Sequence, residues 1–192
     1  RVDMEDSPVT QVTLDILRKV RAKGYRNVGI VIQAYLYRSE QDIRDLVSEC
    51  ISVRLCKGAY KEPVEVAFAK KRDVDANYDK CGGMLMDGAK AQGCTEVSED
   101  GRFPPMPGLA THDESRIIFA KQYAQQIGLP KNGLEFQMLH GIRRELQERL
   151  AKEGYPVRVY VPYGTEWYPY FMRRLAERPA KVWFFISNFF RK

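Results

Sequence analysis

Six times along the chain a short apolar run gives way to a segment of helical spacing, and that alternation decides the fold class. The runs are RVDM at the front, then residues 28–35 (VGIVIQAY), 51–56 (ISVRLC), 109–111, 134–139 (LEFQML) and 157–162 (VRVYVP). The first helix has Ser7 as its N-cap and Pro8 at its first helical position. Val9, Val12, Ile16 and Val20 mark its apolar face, and Gly24 ends it. Further helices are expected over 39–49, 73–92, 114–127, 142–152 and 170–177. Strand–helix alternation of this kind folds as α/β, a parallel sheet with helices outside it. Asp3, Gln33, Lys57, Thr111, His112, Gln137 and Tyr160 then fall at or near C-terminal strand ends. That rim is where a barrel builds its site, and the crevice side of an open sheet. No G-x-G-x-x-G follows a strand, which disfavours a Rossmann dinucleotide site.

The totals narrow the classes further. A length of 192 residues suits one domain with a real core. The net charge of +6 favours anionic ligands only weakly, and the basic residues are interspersed with acids, which argues against a nucleic-acid partner. Four cysteines without a C-x-x-C pair, with only two histidines, argue against a metal site and suit a reducing compartment. No signal-peptide pattern opens the chain, and no apolar run approaches the ~20 residues of a membrane span. The aromatic tail VWFFISNFF, within 180–192, is a docking segment or a membrane-touching surface. Residues 93–107, rich in Gly and Pro, read as an exposed loop insertion.

Individual residues carry competing readings. Tyr170, Arg173, Arg174 and Glu177 share one helical stripe, which by itself suits a solvated face or an anion clamp. Gln33 and Gln137 lie inside apolar strands, where a buried amide needs partners. Lys57 is a rim lysine, a cofactor contact, or a Schiff-base former in a barrel lyase or aldolase. His112 is a satisfied core histidine or a cofactor contact, and His140 is structural.

Taken together, RLCKGAYKEP, ATHD, FQMLHGIR and YVPYGTEWYPYFMRRLAERPA resemble the proline dehydrogenase family, closest to its small monofunctional bacterial form, over residues 1 to about 190. The resemblance implies a distorted (β/α)8 TIM-type barrel, of which about six strand–helix units are present, as a single domain over 1–192. It implies FAD-dependent oxidation of L-proline to Δ1-pyrroline-5-carboxylate, the first step of proline degradation to glutamate. Electrons pass to membrane quinone, the location is bacterial cytoplasm in peripheral contact with the inner membrane, and a pyrroline-5-carboxylate dehydrogenase is a partner. Arg173 and Arg174 match the residues that hold the proline carboxylate, with Glu177 orienting them. Tyr160, Tyr170 and Tyr60 match substrate-side tyrosines, and Leu55 an apolar wall. Asp3 matches an active-site aspartate and Arg54 an active-site arginine near the flavin. Met4, Gln33, Lys57, Gly58, Ala59, Thr111, His112 and Gln137 match FAD contacts. No metal is implied.

The same resemblance places Arg1 at the family's third barrel strand. Two strand–helix units are then expected upstream, with a lysine that contacts substrate and pairs with the aspartate matched by Asp3. A full barrel of about 250 residues agrees. The alternative reading is a truncated, non-catalytic barrel remnant or flavin-binding fragment. Lys181 stands where the family usually carries Asn.

Overall fold

Parallel pairing fixes the centre of the molecule. In the computed structural model, which describes residues 1–93 and 107–165, β1 (Ile30–Gln33), β2 (Val53–Cys56), β3 (Pro107–Ala110), β4 (Glu135–Leu139) and β5 (Val157–Tyr160) form one sheet in that order. The first three pairs run parallel, with Leu55 opposite Ile32 on one side and Leu109 on the other. The front strand RVDM contributes a single parallel bridge, Val2 to Ile30, at the outer edge of β1. By chain contacts the molecule divides into two units, 1–159 and 160–192. Of the second, residues 160–165 are described.

The helices are α1 (Ser7–Ala22), α2 (Ser39–Ser48), α3 (Lys71–Ala91), α4 (Glu114–Ile127) and α5 (Arg144–Lys152), with a 3₁₀ turn at Lys131–Gly133. Their boundaries follow the expected ones within two residues. At α5 the start moves to Arg144 because Arg143 adopts a left-handed conformation just before it. Asp113 caps α4 through the Ser115 N–H, and α4 closes on a left-handed Gly128.

Two details of α1 correct the sequence reading. The N-cap is Asp6, and Ser7 is already helical. Ser7 instead gives both its N–H and its hydroxyl to the Glu62 carboxylate, at 2.7 and 2.6 Å. The buried face is Thr10, Leu14 and Leu17, while Val9, Val12 and Ile16 point outward. The helix carries two apolar stripes about 120° apart, and the leucine one faces the core.

Strand alternation sorts the side chains into two layers. Val53, Leu55, Leu109, Phe136 and Met138 pack with Leu14, Leu17, Ile43, Leu46, Tyr78, Leu85 and Met86 in one apolar core. Burying each of the larger ones is worth about 1.5–3 kcal/mol. The opposite face carries Arg54, Glu135 and Gln137; β4 is buried on both faces but for its last residue, whereas β2 alternates buried and partly exposed residues.

Candidate functional site

The polar face of the sheet brings together three residues far apart in the chain. Arg54 of β2 gives NH1 to Asp3 Oδ1 at 3.1 Å and Nε to Gln137 Oε1 at 2.5 Å. Gln137 gives Nε2 to Glu135 Oε1 at 2.6 Å, and Glu135 receives Arg158 Nε and NH2, both at 2.9 Å. Glu135 is nearly sealed from solvent, with 2% of its side chain exposed, so its charge needs such pairing. Asp3 lies at the open end with 65% exposed.

Geometry explains how β2 reaches β4 across the strand between them. Arg54 pairs with Gly108 on β3, and Gly108 pairs with Glu135 on β4. Next-nearest strands lie about 9.6 Å apart, twice the strand spacing. A side chain at 108 would occupy the path, since a Cβ there would fall 2.6 Å from Gln137 Nε2. Glycine leaves the path clear.

The KGAY segment is held mostly by this chain's own groups. The Lys57 ammonium sits between Asp75 of α3 and Asp113 at the start of α4, the latter at 2.7 Å. Burial works against ionisation of these two acids. Hydrogen bonds from Lys57, and from Lys71 to Asp75, overcome it and hold both carboxyls below their ordinary range. Gly58 has φ +120°, and a Cβ there would strike the Tyr35 ring. The need for glycine at 58 therefore already arises within the chain. Ala59 is exposed. The Tyr60 hydroxyl bonds Glu5, so the segment after β2 is tied to the start of α1 there and again through Glu62.

The other predicted residues divide. Gln33, nearly buried, gives its amide N–H to the Glu5 carbonyl at 2.6 Å. The Thr111 hydroxyl accepts the Asp113 N–H at 3.0 Å. His112 Nε2 accepts the Leu139 N–H at 2.9 Å, so this nitrogen is unprotonated and the ring is tied to the end of β4. Met4 is buried in the apolar core. Leu55 is fully buried, 3.9 Å from where a Gly82 Cβ would stand, on the strand face opposite Arg54. Tyr160 ends β5. Tyr170, Arg173, Arg174, Glu177, the 170–177 helix, the tail, Lys181 and residues 94–106 of the loop insertion lie outside the described residues.

Sequence reasoning passed over Glu135, Gly108 and Arg158. One signal was available. Glu135 and Gln137, two apart in an apolar strand, must share a face. Beside the site, Asp79 of α3 and Arg116 of α4 lie 2.9 Å apart without hydrogen-bond alignment. Burial pushes the Asp79 carboxyl up to about 6, against the pull of Arg116. Among the described residues no group of three or more His, Cys, Asp or Glu is arranged to hold a metal ion, and no helix is long and apolar enough to cross a membrane.

Comparison with known proteins adds an independent result. The family described as proline dehydrogenase matches residues 1–185. Proline dehydrogenase 2 of Bacillus subtilis (strain 168) is 46% identical over 192 residues, all of this chain and 58% of that protein. The proline dehydrogenase of Deinococcus radiodurans is 43% identical over 188 residues, 97% of this chain and 56% of that protein. Among solved structures, proline utilization A (PutA) from Bdellovibrio bacteriovorus, inactivated by N-propargylglycine, superposes with a TM-score of 0.78 at 31% identity. That match covers 92% of this chain and 19% of the other. The chain thus spans somewhat over half the length of the curated relatives it matches.

Proposed function

The chain belongs to the proline dehydrogenase family, and from that premise we propose that the protein oxidises L-proline to Δ1-pyrroline-5-carboxylate with FAD as the electron acceptor. The observation that carries the reading is the Asp3–Arg54–Gln137 cluster. Its members come from segments 51 and 83 residues apart, yet they meet on one face of the sheet. Nothing in the apolar core calls for an arginine there. A ligand rich in acceptors does.

The donor set fits a flavin in kind. Arg54 has five N–H groups, two of which are engaged by Gln137 and Asp3. Gln137 has a second amide hydrogen beyond the one given to Glu135. Both can meet the carbonyl and nitrogen edge of an isoalloxazine. When bound, that ring supplies the acceptor for a hydride from the substrate. The chain's own work is binding and orientation. By the family match, Arg173 and Arg174 are the carboxylate binders, a role guanidinium groups suit, with Glu177 orienting them and Tyr60, Tyr160 and Tyr170 as substrate-side tyrosines. Such positioning fixes the reacting carbon of the substrate. Lys57 serves the cofactor-side rim as a cation clamped by two carboxylates. That clamp speaks against a Schiff-base role.

The same reading takes the sheet as part of a distorted (β/α)8 barrel, quinone as the final acceptor, peripheral contact with the bacterial inner membrane from the cytoplasm, and a pyrroline-5-carboxylate dehydrogenase as the next enzyme. The test uses the full-length protein with Arg173→Met and Arg174→Met. Each is expected to raise KM for proline at least tenfold while flavin content stays at the wild-type level. Unchanged KM in both variants contradicts the assignment.

A further inference from the structure

We propose that Glu135 is a positioning residue for Arg54: its fixed negative charge sets which end of the Gln137 amide faces the arginine, and so holds the guanidinium in place. The proposal rests on the reading of Arg54 as an active-site arginine.

The oxygen and nitrogen ends of glutamine have nearly the same shape, so only the neighbours decide which way it points. Gln137 has Arg54 on one side and Glu135 on the other. Arg54 can only donate, and an ionised Glu135 can only accept. With both present a single orientation satisfies the set: Oε1 toward Arg54 Nε and Nε2 toward Glu135 Oε1. That is the orientation observed.

Glu135 can play this part because it is itself immobile. Arg158 grips it with Nε at 2.9 and 3.1 Å and NH2 at 2.9 Å, the bidentate geometry of a strong pair. Its side chain is 2% exposed. Glu135 and Gln137 project from the same face of β4, two residues apart. The relay runs Arg158, Glu135, Gln137, Arg54, Asp3, drawing on β5, β4 and β2 and crossing β3 through the gap at Gly108. It ends on the exposed carboxylate of Asp3, on the open side. Apart from Gln33, Gln137 and Glu135 itself, the buried strand residues are apolar, and packing alone gives no reason for a carboxylate at 135. Replacing it by glutamine removes the charge but not the volume. An uncharged neighbour can donate as well as accept, so only Arg54 still selects the orientation of the Gln137 amide, and the hold of that amide on the guanidinium loosens.

The experiment uses the full-length protein, cofactor-free and loaded. In the cofactor-free form labelled with 15N-arginine, the Arg54 Nε–H signal is identified by its loss in Arg54→Lys. In the wild type its hydrogen exchange is expected to be slow, and in Glu135→Gln at least about tenfold faster. In the loaded form Glu135→Gln is expected to lower kcat about tenfold with KM for proline changed less than about twofold, because the substrate carboxylate is held elsewhere. A merely structural glutamate would lower stability and leave both readouts in place. If Glu135→Gln does not fold, Gln137→Met takes its place. It leaves the Glu135–Arg158 pair whole and is expected to free the Arg54 Nε–H in the same way. Unchanged exchange in a folded Glu135→Gln, or in Gln137→Met, overturns the proposal. Failure of the wild-type flavin to accept electrons from L-proline would overturn the proposed function instead, and the exchange measurement would still judge the role of Glu135.

Discussion

Replacing Gly58 by alanine tests how tightly the KGAY segment is locked to the chain beneath it. Two costs can be worked from the structure. The backbone at 58 has φ +120°, a region that side-chain-bearing residues rarely enter, worth about 1–3 kcal/mol. The new Cβ would also lie 2.6 Å from Cγ of Tyr35, with two further ring carbons nearer still. Ordinary carbon contacts begin at about 3.5 Å, so the ring must retreat by roughly 1 Å. Tyr35 is nearly buried, and its hydroxyl donates to Glu62, the carboxylate that also holds Ser7 at the start of α1. Overpacking of this kind costs about 1–3 kcal/mol more. Gly24→Ala is the control: φ is +94° there, but nothing lies within 4 Å of the added carbon. In urea unfolding, Gly58→Ala should lose about 1–3 kcal/mol more than Gly24→Ala, and Tyr35→Leu in the Gly58→Ala background should recover much of that difference. Equal losses in the two glycine variants, with Tyr35→Leu strictly additive, would refute the reasoning.

Two more outcomes follow from the same geometry. Gly108→Ala should push the Gln137 amide out of the Arg54 path, lowering FAD affinity at least about tenfold while costing less than about 3 kcal/mol of stability, as a flavin-retention assay beside urea unfolding would show. Asp79 provides a pH test. Its folded-state pKa of about 6 lies above that of an unfolded Asp, about 3.9, so between those values the folded chain holds a proton that the unfolded chain has released. This carboxyl therefore subtracts stability as pH rises through that window. Asp79→Asn should match the wild type near pH 4 and exceed it by about 1–3 kcal/mol at pH 7, read from denaturation at both pH values.

The alternation of apolar runs and helical spacing was enough to give the parallel sheet, because strands buried on both faces leave a continuous apolar signature. The buried amides were legible for a similar reason: Gln33 and Gln137 stand out among aliphatic neighbours, and both find partners. Partners themselves were not legible. Lys57 is gripped by Asp75 and Asp113, 18 and 56 residues further on, and nothing local selects those acids among twenty-five. On α1 the periodicity offered two apolar stripes. The β-branched one is the more regular in sequence, yet the leucine one is buried, since which stripe meets the sheet is decided by the strands' positions and not by the helix. Gly108 had no local mark at all, because its role is to leave a path between two strands that are not neighbours.

The most direct measurement is the visible spectrum of the full-length protein, purified with its cofactor and titrated with L-proline in the absence of oxygen. The expected result is an oxidised-flavin band that bleaches in proportion to proline consumed, with Δ1-pyrroline-5-carboxylate formed in equal amount. A flavin band that proline leaves unchanged, or no flavin band at all, would contradict it.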